Sequence, residues 1–475
     1  MSSASKLRSA IGALLFVASA AASAQCVSTV QQVSDYFTSP NRAAGALAFT
    51  GSVIGVARNE TLSPKPIWLT LFDQSLNQVT EDKIVAPSSR SGALAMFWNG
   101  TGYGLFFLGI GGELRLQRVT AGGELIGTQI VVGRAATFFG QEYGFAFDPV
   151  RNAYIAVHTI PEGGDAGFWL TIIGTDGVTR FDQRLTGTLS QLSEPRVAVA
   201  DDGTIGIVRH QVEADDGLRF TALDLNNNVV GFADISANAH RPVIASNGSS
   251  FAIVYQSNIA GGTEIRWART DTKARLIAAE SRLFSGRGMD AAPTSLVWNA
   301  ARSEWAVAYL DSPIGFQEFP GEYRLHRMTP AGDAISDTTF SLDVARTVYS
   351  TSYPIAWTGS SYVSSGERNV PVQGSVSFLF KHCPFAAAAT QDRVTVPASF
   401  PVTFTANASG GTAPYKFTWD FGDFSEARPG ETISHSFAKI GTYTVTLTAT
   451  DVAGARFVTR LLVTVYFPKA RAIRR

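Results

Sequence analysis

The chain has 475 residues, which is enough for one large repeat domain and a smaller second domain. Lysine plus arginine and aspartate plus glutamate both number 39, so the formal net charge is zero. This balance excludes a bulk electrostatic attraction to nucleic acid or to anionic membranes, and any recognition of charge must be local.

Residues 1–24 have the pattern of a secretory signal peptide that is cleaved near Ala24: a positive region, an apolar stretch and a small-residue cleavage site. A lipoprotein signal is the competing interpretation, but Gln25 stands before Cys26, where that motif has a small residue. No later segment approaches the roughly 18 uncharged apolar residues of a membrane span. We therefore expect a secreted protein (periplasmic, cell-surface or extracellular), in a compartment that permits disulfides.

From residue 25 onward, the chain repeats a hairpin unit of two apolar strands joined by a polar turn, such as "GALAMFWNGTGYGLFFLG" from Gly92. A third strand follows each hairpin, and then a turn and a weaker fourth strand. One apolar position recurs in the third strands: Leu69, Leu116, Leu170, Phe220, Trp267, Leu325 and Phe378. The sequence predicts an all-β fold, and residues 25–385 resemble a seven-bladed β-propeller of no specific family. Six or eight blades remain open.

The seventh unit lacks a fourth strand, because "VSFLFK" runs into His382 and Cys383 and then into a change of composition. The unpaired segment "VSTVQQV", residues 27–33, is available to complete this unit and close the ring. Such pairing brings Cys26 to the position of the missing turn, next to Cys383. It predicts a disulfide between these two cysteines; two unrelated buried thiols are the alternative.

A small-residue linker, "PFAAAATQDR", leads into a second domain. This domain carries "WDFGD" from Trp419, "HSF" from His435 and "GTYTVTL" from Gly441. These motifs, in this order, resemble the PKD domain, an immunoglobulin-like β-sandwich, over residues 386–466. Phe424 departs from the family, which often has glycine there. The resemblance implies an extracellular spacer or interaction module and no chemistry.

Some PKD-like domains use acidic positions for calcium, and the resemblance places Asp420 and Asp451 at such positions. A Ca²⁺ site there is one expectation, and aspartates that stabilise turns are the alternative. No other cofactor is expected. Residues 467–475 form a short basic tail, which we expect to be solvated.

No nucleophile elbow, zinc-binding motif or phosphate loop occurs in the sequence, and we expect the six histidines to be structural. An arginine does enter each hairpin: Arg42, Arg90, Arg134, Arg196, Arg241, Arg287 and Arg346. In a propeller these segments lie near the mouth of the central channel, where guanidinium groups suit carboxylate, sulfate or phosphate ligands. Alternatively, each arginine ties its blade to the next through loop carbonyls or nearby acids.

Two sets of aromatic residues have different expected roles. One repeat position, at the end of the first strand, favours packing between blades over sugar stacking: Phe49, Trp98, Phe147, Trp298 and Trp357. A second set lies in loops without periodicity and is better suited to ligand contact: Phe138, Phe139, Phe316 and Phe319.

The sequence therefore indicates an exported, non-enzymatic binding protein, which we expect to be a monomer. Its propeller loop face would recognise a polysaccharide or a cell-surface protein, and the PKD-like domain would space or dock it. One alternative is an extracellular polysaccharide lyase or glycoside hydrolase with two carboxylates at the propeller mouth. The other is a structural or adhesive envelope component. No nucleic acid partner and no transmembrane segment are expected.

Overall fold

The computed structural model describes residues 29–33, 45–59, 65–89, 93–134, 143–160, 167–186, 194–211, 217–260, 262–285, 290–312, 321–344, 354–370, 374–411, 413–452 and 456–467. All regular secondary structure in these ranges is β-strand, so the all-β expectation is confirmed. A helix long and apolar enough to cross a membrane does not occur in these ranges.

Before residue 383, the described strands form antiparallel sheets, five of which contain four strands in chain order. These five are β2–β5 (Ala46–Phe49, Ile54–Asn59, Lys65–Phe72, Lys83–Ser89), β6–β9 (Ala93–Trp98, Gly102–Leu108, Glu113–Thr120, Leu125–Arg134), β10–β13 (Tyr143–Asp148, Ala153–Ile160, Gly167–Gly174, Thr179–Thr186), β14–β17 (Arg196–Val199, Ile205–Gln211, Gly217–Leu223, Val229–Ala237) and β18–β21 (Ala239–Ser246, Ser250–Ile259, Gly262–Asp271, Leu276–Ser285).

The remaining sheet of this region has eight strands. It comprises β22–β25 (Asp290–Asn299, Glu304–Ser312, Gly321–Met328, Ala334–Val344), β26–β28 (Ile355–Trp357, Tyr362–Val370, Gly374–His382) and β1 (Thr29–Gln32). A single residue pair, Val344 with Arg368, joins β22–β25 to the other four strands. The sheet is therefore two four-stranded units in contact.

The first strands of the units are the innermost. β2, β6, β10, β14, β18, β22 and β26 pack against one another in this order, and β26 packs against β2. A closed cycle of inner strands with sheets radiating from it is the architecture of a β-propeller. The propeller expectation is confirmed, and the number of blades stays a prediction.

The N-terminal strand completes the last unit, as the sequence predicts. β1 pairs antiparallel with β28, with Thr29 opposite Lys381 and Gln32 opposite Phe378. Cys383, which follows β28 after His382, is buried. Cys26 lies outside the described residues, so its disulfide with Cys383 stays a prediction.

Apolar burial and turn chemistry explain why the repeat folds this way. The recurrent apolar position of the third strands is buried in every unit. In the turn after the third strand, Asp73, Asp224 and Asp271 each accept two backbone N–H groups from the next four residues. The carboxylates thus satisfy backbone N–H groups that have no partner strand where the chain reverses. These aspartates therefore have a local structural role.

Basic side chains connect neighbouring units on one face of the propeller. We call it the turn face, because it carries the turns within hairpins and those after the third strands. Each donor reaches a backbone carbonyl of the next unit: Lys83 to Gly122, Arg118 to Thr175, Arg151 to Gly203, Arg269 to Pro330 and Lys381 to Gln74. Cations on the turn face thus serve to hold the ring together.

The C-terminal region is a two-sheet sandwich. One sheet pairs β29 (Ala386–Gln391), β31 (Pro401–Ser409) and β34 (Thr432–Ser436). The other pairs β30 (Thr395–Pro397), β36 (Arg456–Tyr466), β35 (Gly441–Thr450), β32 (Lys416–Asp420) and β33 (Arg428–Pro429). Trp419, Val445 and Leu447 are fully buried between the sheets, and Tyr443 packs against them, as the alternating pattern predicts.

The predicted linker is wrong, because its alanines form strand β29. Ala386 lies opposite Ser409 of β31, while Ala387 and Ala389 pack on the sandwich core. Pairing and burial override the weak strand propensity of alanine. Only Cys383–Phe385 connects β28 to β29, and all three residues are buried. We call this segment the joint; Cys383 O accepts a hydrogen bond from Gly411 N of the sandwich.

Candidate functional site

Two of the seven predicted arginines lie at neighbouring ends of adjacent inner strands, the ends that in a propeller border the mouth of the central channel. Arg196 begins inner strand β14, and Arg241 lies near the start of the adjacent inner strand β18. Arg134 ends strand β9, and its side chain is not described. The other four lie outside the described residues: Arg42, Arg90, Arg287 and Arg346.

Glu194 connects the two arginines. Its Oε2 atom accepts a hydrogen bond from the backbone N–H of Arg241 at 2.5 Å. Arg196 is half-buried and donates to the carbonyls of Tyr143 at 3.2 Å and Pro195 at 2.9 Å. Burial lowers the pKa of Arg196, and the charge of Glu194 opposes this shift. Because Tyr143 belongs to the preceding unit, Arg196 makes the tie between units that the structural alternative requires.

Two histidines with their rings in contact lie beside this pair. The rings of His210 and His240 are 4.8 Å apart between centroids at an angle of 55°. Arg196 is opposite Val208 in the hairpin β14–β15, so the same register carried outward places Glu194 opposite His210. We call Glu194, Arg196, His210, His240 and Arg241 the mouth cluster. From the sequence we expected these histidines to be structural, and nothing in the sequence linked them to the arginines.

The backbone at the mouth cluster is strained. Glu194 has φ of 40°, Asn238 of 53° and Arg241 of 50°, in the left-handed region that residues with a Cβ avoid. A β-bulge between His240 and Val243 interrupts the pairing of β18. Strained residues and bulges that re-aim side chains are concentrated at functional sites. The sequence predicted the arginines at this site but not the strained backbone, because no residue type in this segment is specific to the left-handed conformation.

The recurrent aromatics pack within their own hairpins. Trp98 lies opposite Tyr103, Phe147 opposite Tyr154, Trp298 opposite Trp305 and Trp357 opposite Tyr362. Ring centroids in these pairs are 4.7 to 5.5 Å apart. Trp298 and Trp357 also pack on buried residues of the preceding unit, and Phe49 on those of the last unit. This arrangement supports the predicted packing between blades over sugar stacking. The loop aromatics Phe138, Phe139, Phe316 and Phe319 fall outside the described residues.

A second polar cluster lies near the joint, and its groups bond one another. Glu304 is 2% exposed and accepts two hydrogen bonds from Arg327, one from Arg302 and one from the Tyr362 hydroxyl. Burial lowers the pKa of nearby His382 to about 4, with an additional contribution from Arg327. With four donors on one carboxylate, the cluster is suited to holding two units together.

The motifs of the sandwich form one connected group. Phe421 stacks on His435 with centroids 3.8 Å apart, and His435 Nε2 lies 2.7 Å from Asp423 Oδ2. Partial burial raises the pKa of Asp423, but hydrogen bonds with Ser425 and His435 leave it below its ordinary value. Residues 381–465 match the family model of the PKD domain. The C-terminal sandwich is a PKD domain.

Strand register separates the two aspartates of the calcium expectation, and a calcium site in the PKD domain stays a prediction. Asp420 lies opposite Thr446, whereas Thr450, next to Asp451, lies opposite Lys416. Four residues of β32 separate these pairs, or roughly 13 Å along the strand, which favours the alternative of turn-stabilising aspartates. Asp420 accepts the backbone N–H of Gly422, as a turn-stabilising aspartate does. Across the residues the structure covers, no group of three acidic, histidine or cysteine side chains has metal-binding geometry.

Solved structures resemble the chain in fold alone. The extracellular domain of a hybrid two-component system from B. thetaiotaomicron is 9% identical, with a TM-score of 0.43. The match covers 94% of this chain but only 60% of that domain. The β-propeller domain of the Trilobed protease from Pyrococcus furiosus is 7% identical with a TM-score of 0.44, covering 71% of this chain and 95% of that domain.

The SapL1 lectin, solved with alpha methyl fucoside, is 10% identical with a TM-score of 0.41, over 63% of this chain and 96% of the lectin. A search of curated proteins finds no match to the sequence.

Proposed function

We propose that this chain is an exported binding protein whose propeller recognises an acidic polysaccharide through the mouth cluster. The observation that carries the proposal is the strained arginine at the channel mouth. Arg241 is held in the left-handed region by its N–H bond to the buried Glu194 carboxylate. Such a conformation is costly for a residue with a long side chain, and residues held in it are concentrated at ligand sites. Arginine forks suit the carboxylate and sulfate groups of acidic glycans.

The two arginines have different parts in this proposal. Arg196 bonds backbone carbonyls of its own and the preceding unit, so its main role is to position the strand. Arg241 is half-buried and follows His240, whose ring contacts that of His210. We therefore assign ligand contact to Arg241 first. A cell-surface protein with acidic side chains is the other ligand consistent with this chemistry.

Two alternative functions can be distinguished by experiment. A polysaccharide lyase or glycoside hydrolase needs a second carboxylate roughly 5 to 10 Å from Glu194. Asp290, which begins the next inner strand, β22, is the candidate at the equivalent end of its strand. A structural or adhesive envelope component would instead self-associate and bind no glycan.

The proposed location and architecture agree with this role. The signal peptide at 1–24 lies outside the described residues, and we propose export with cleavage near Ala24. The PKD domain, whose family resemblance implies an extracellular spacer, leaves the propeller at the joint. The joint follows β28 on the turn face, whereas the mouth cluster lies at the opposite ends of the strands. The PKD domain thus leaves the mouth accessible to a ligand.

The test compares Arg241→Gln with Arg180→Gln, a surface arginine of the turn face whose side chain is 43% exposed. Binding to alginate, polygalacturonate and neutral dextran would be measured beside product release. We expect Arg241→Gln to weaken acidic-glycan binding about ten- to hundredfold with unchanged melting, because a charge-assisted hydrogen bond is lost. Equal binding by both variants contradicts the proposal. Product release by the parent protein would establish the enzyme alternative.

A further inference from the structure

The end of the PKD domain opposite the joint exposes several large apolar side chains, and we call it the distal tip. Its members are Val394, Phe400, Phe424, Ile440, Tyr466 and Phe467. Backbone hydrogen bonds hold these loops together: Ala398 to Tyr466, Ser399 to Phe437 and Thr464 to Val394. Strand β35 runs from the tip at Gly441 to the joint end at Thr450. Its ten residues separate the tip from the joint by roughly 30 Å.

Phe424 is the most unusual residue of the distal tip. Its side chain is fully exposed, and its φ of 68° lies in the left-handed region. Glycine, the frequent residue here in the resembling family, would adopt this backbone without strain and expose no ring. Phenylalanine costs about 1 kcal/mol in such a conformation and buries nothing in return. The ring therefore points to a contact outside the chain.

The turn that carries Phe424 is firmly held. Asp423 accepts hydrogen bonds from both the backbone N–H and the hydroxyl of Ser425, and it pairs with His435. His435 stacks on Phe421 in the core of the domain. The exposed ring is thus presented on a defined support, so its insertion into a partner loses little conformational entropy.

Cations accompany the apolar side chains. The Arg393 guanidinium lies over the Phe400 ring, 4.7 Å from its centroid, and Lys439 is exposed beside Ile440. Acids in the same loops, such as Asp392 and Glu426, leave the described loops nearly neutral. The basic residues that would give this end of the domain a positive charge follow Phe467 in the sequence and lie outside the described residues: Lys469, Arg471, Arg474 and Arg475, with no acid among them.

We propose that the distal tip docks on a lipid surface with acidic headgroups. Phe424 and Ile440 would enter the boundary between headgroups and acyl chains, and the nearby cations would pair with phosphates. Apolar side chains that project singly from separate loops, with basic residues between them, fit a fluid interface. Protein interfaces instead concentrate their binding energy in anchors that fill pockets of the partner. This local site is compatible with the zero net charge of the chain.

The experiment uses the full chain and vesicles of phosphatidylcholine with or without phosphatidylglycerol, and it measures co-flotation at several salt concentrations. The test variants are Phe424→Gly, which also removes strain, and Ile440→Ser. The matched controls are Phe232→Ser and Val178→Ser, which change propeller side chains 62% and 60% exposed. Near-ultraviolet circular dichroism and melting establish that each variant is folded.

We expect the parent protein to float with phosphatidylglycerol vesicles and to dissociate as salt increases. Phe424→Gly should weaken partitioning at least about tenfold, because a large aromatic surface no longer leaves water. The controls should bind like the parent. No flotation of the folded parent, or equal flotation by Phe424→Gly, overturns the proposal. Concentration-dependent dimers abolished by Phe424→Gly, without lipid binding, would assign the tip to a second copy of the chain.

Discussion

The ring of Tyr154 lies directly against Gly104 of the preceding unit, where a Cβ would approach the Cε1 atom of the ring to 2.3 Å. The Tyr154 hydroxyl accepts a hydrogen bond from Asn99 Nδ2, also of the preceding unit, at 2.7 Å. Phe251 contacts Gly206 in a similar way. The absence of a side chain on one second strand thus makes room for the aromatic ring of the next.

Gly104→Ala should therefore destabilise the propeller by about 2 to 3 kcal/mol, because the added methyl group must displace a buried ring. The matched control is Gly122→Ala, where a Cβ meets only the flexible end of Glu124. Urea unfolding of both variants measures the difference. Equal stability of the two variants would show that Tyr154 moves without cost.

Arg151→Ala should cost about 3 kcal/mol in unfolding free energy. Its side chain bonds the carbonyls of Gly203 and Asp224 in the next unit and pairs with the fully buried carboxylate of Asp148. Removing the cation leaves that carboxylate without its charge partner. Arg180→Ala is the control: its side chain is 43% exposed, and its loss should cost about 0.5 kcal/mol. Thermal and urea unfolding check both values.

Acidification should destabilise the protein partly through His158. Burial lowers the pKa of this histidine from 6.5 to about 4. The unfolded chain therefore takes up a proton below pH 6.5 that the folded chain refuses until about pH 4. Above pH 6.5, His158 therefore does not reduce the free energy of unfolding. Between pH 6.5 and pH 4 the free energy of unfolding decreases as the pH falls. At pH 4.5 this effect lowers the free energy of unfolding by roughly 2 kcal/mol.

His158→Gln should consequently lose less stability than the parent between pH 7.5 and pH 4.5, by roughly 2 kcal/mol. The measurement is the urea midpoint at each pH. Because both proteins contain the same carboxylates, the difference between them isolates the histidine. Parallel pH profiles would contradict a protonation-resistant His158.

Reducing agent should lower the melting temperature if Cys26 and Cys383 are linked. Closing so long a loop restricts the unfolded chain and stabilises the folded ring by roughly 3 to 5 kcal/mol. The Cys26→Ser/Cys383→Ser variant should melt at the lower temperature with or without reductant. Intact mass after alkylation without reduction gives a direct check. Two alkylated thiols in the native protein would be incompatible with the link.

Several parts of the fold were predictable because they depend on local pattern or simple counting. The third-strand positions, such as Leu116 and Phe220, are buried as the alternation predicts. The pairing of β1 with β28 follows from a unit with a missing strand and a segment without a partner. The strand at Ala386–Gln391 was missed, because alanine carries little signal and its pairing with β31 comes from a distant segment.

The candidate site was predictable only in part. Arg196 and Arg241 stand out as members of a repeated set, and the structure joins them through Glu194. Their different roles depend on carbonyls and backbone angles that distant segments impose. The calcium expectation for Asp420 and Asp451 stays a prediction, and the sequence did not show that the antiparallel register of β32 and β35 separates the two positions.

The sequence by itself determined the strand pattern, the closure of the ring by its N-terminal strand and the family of the second domain. Alternating apolar residues and motifs in a fixed order are local properties of the chain, so they can be recognised in the sequence alone. Only the tertiary structure decided that Arg241 is strained beside two histidines in contact and that Phe424 is fully exposed at the distal tip. Backbone strain and exposure arise from contacts between segments far apart in the chain, which residue order does not encode locally.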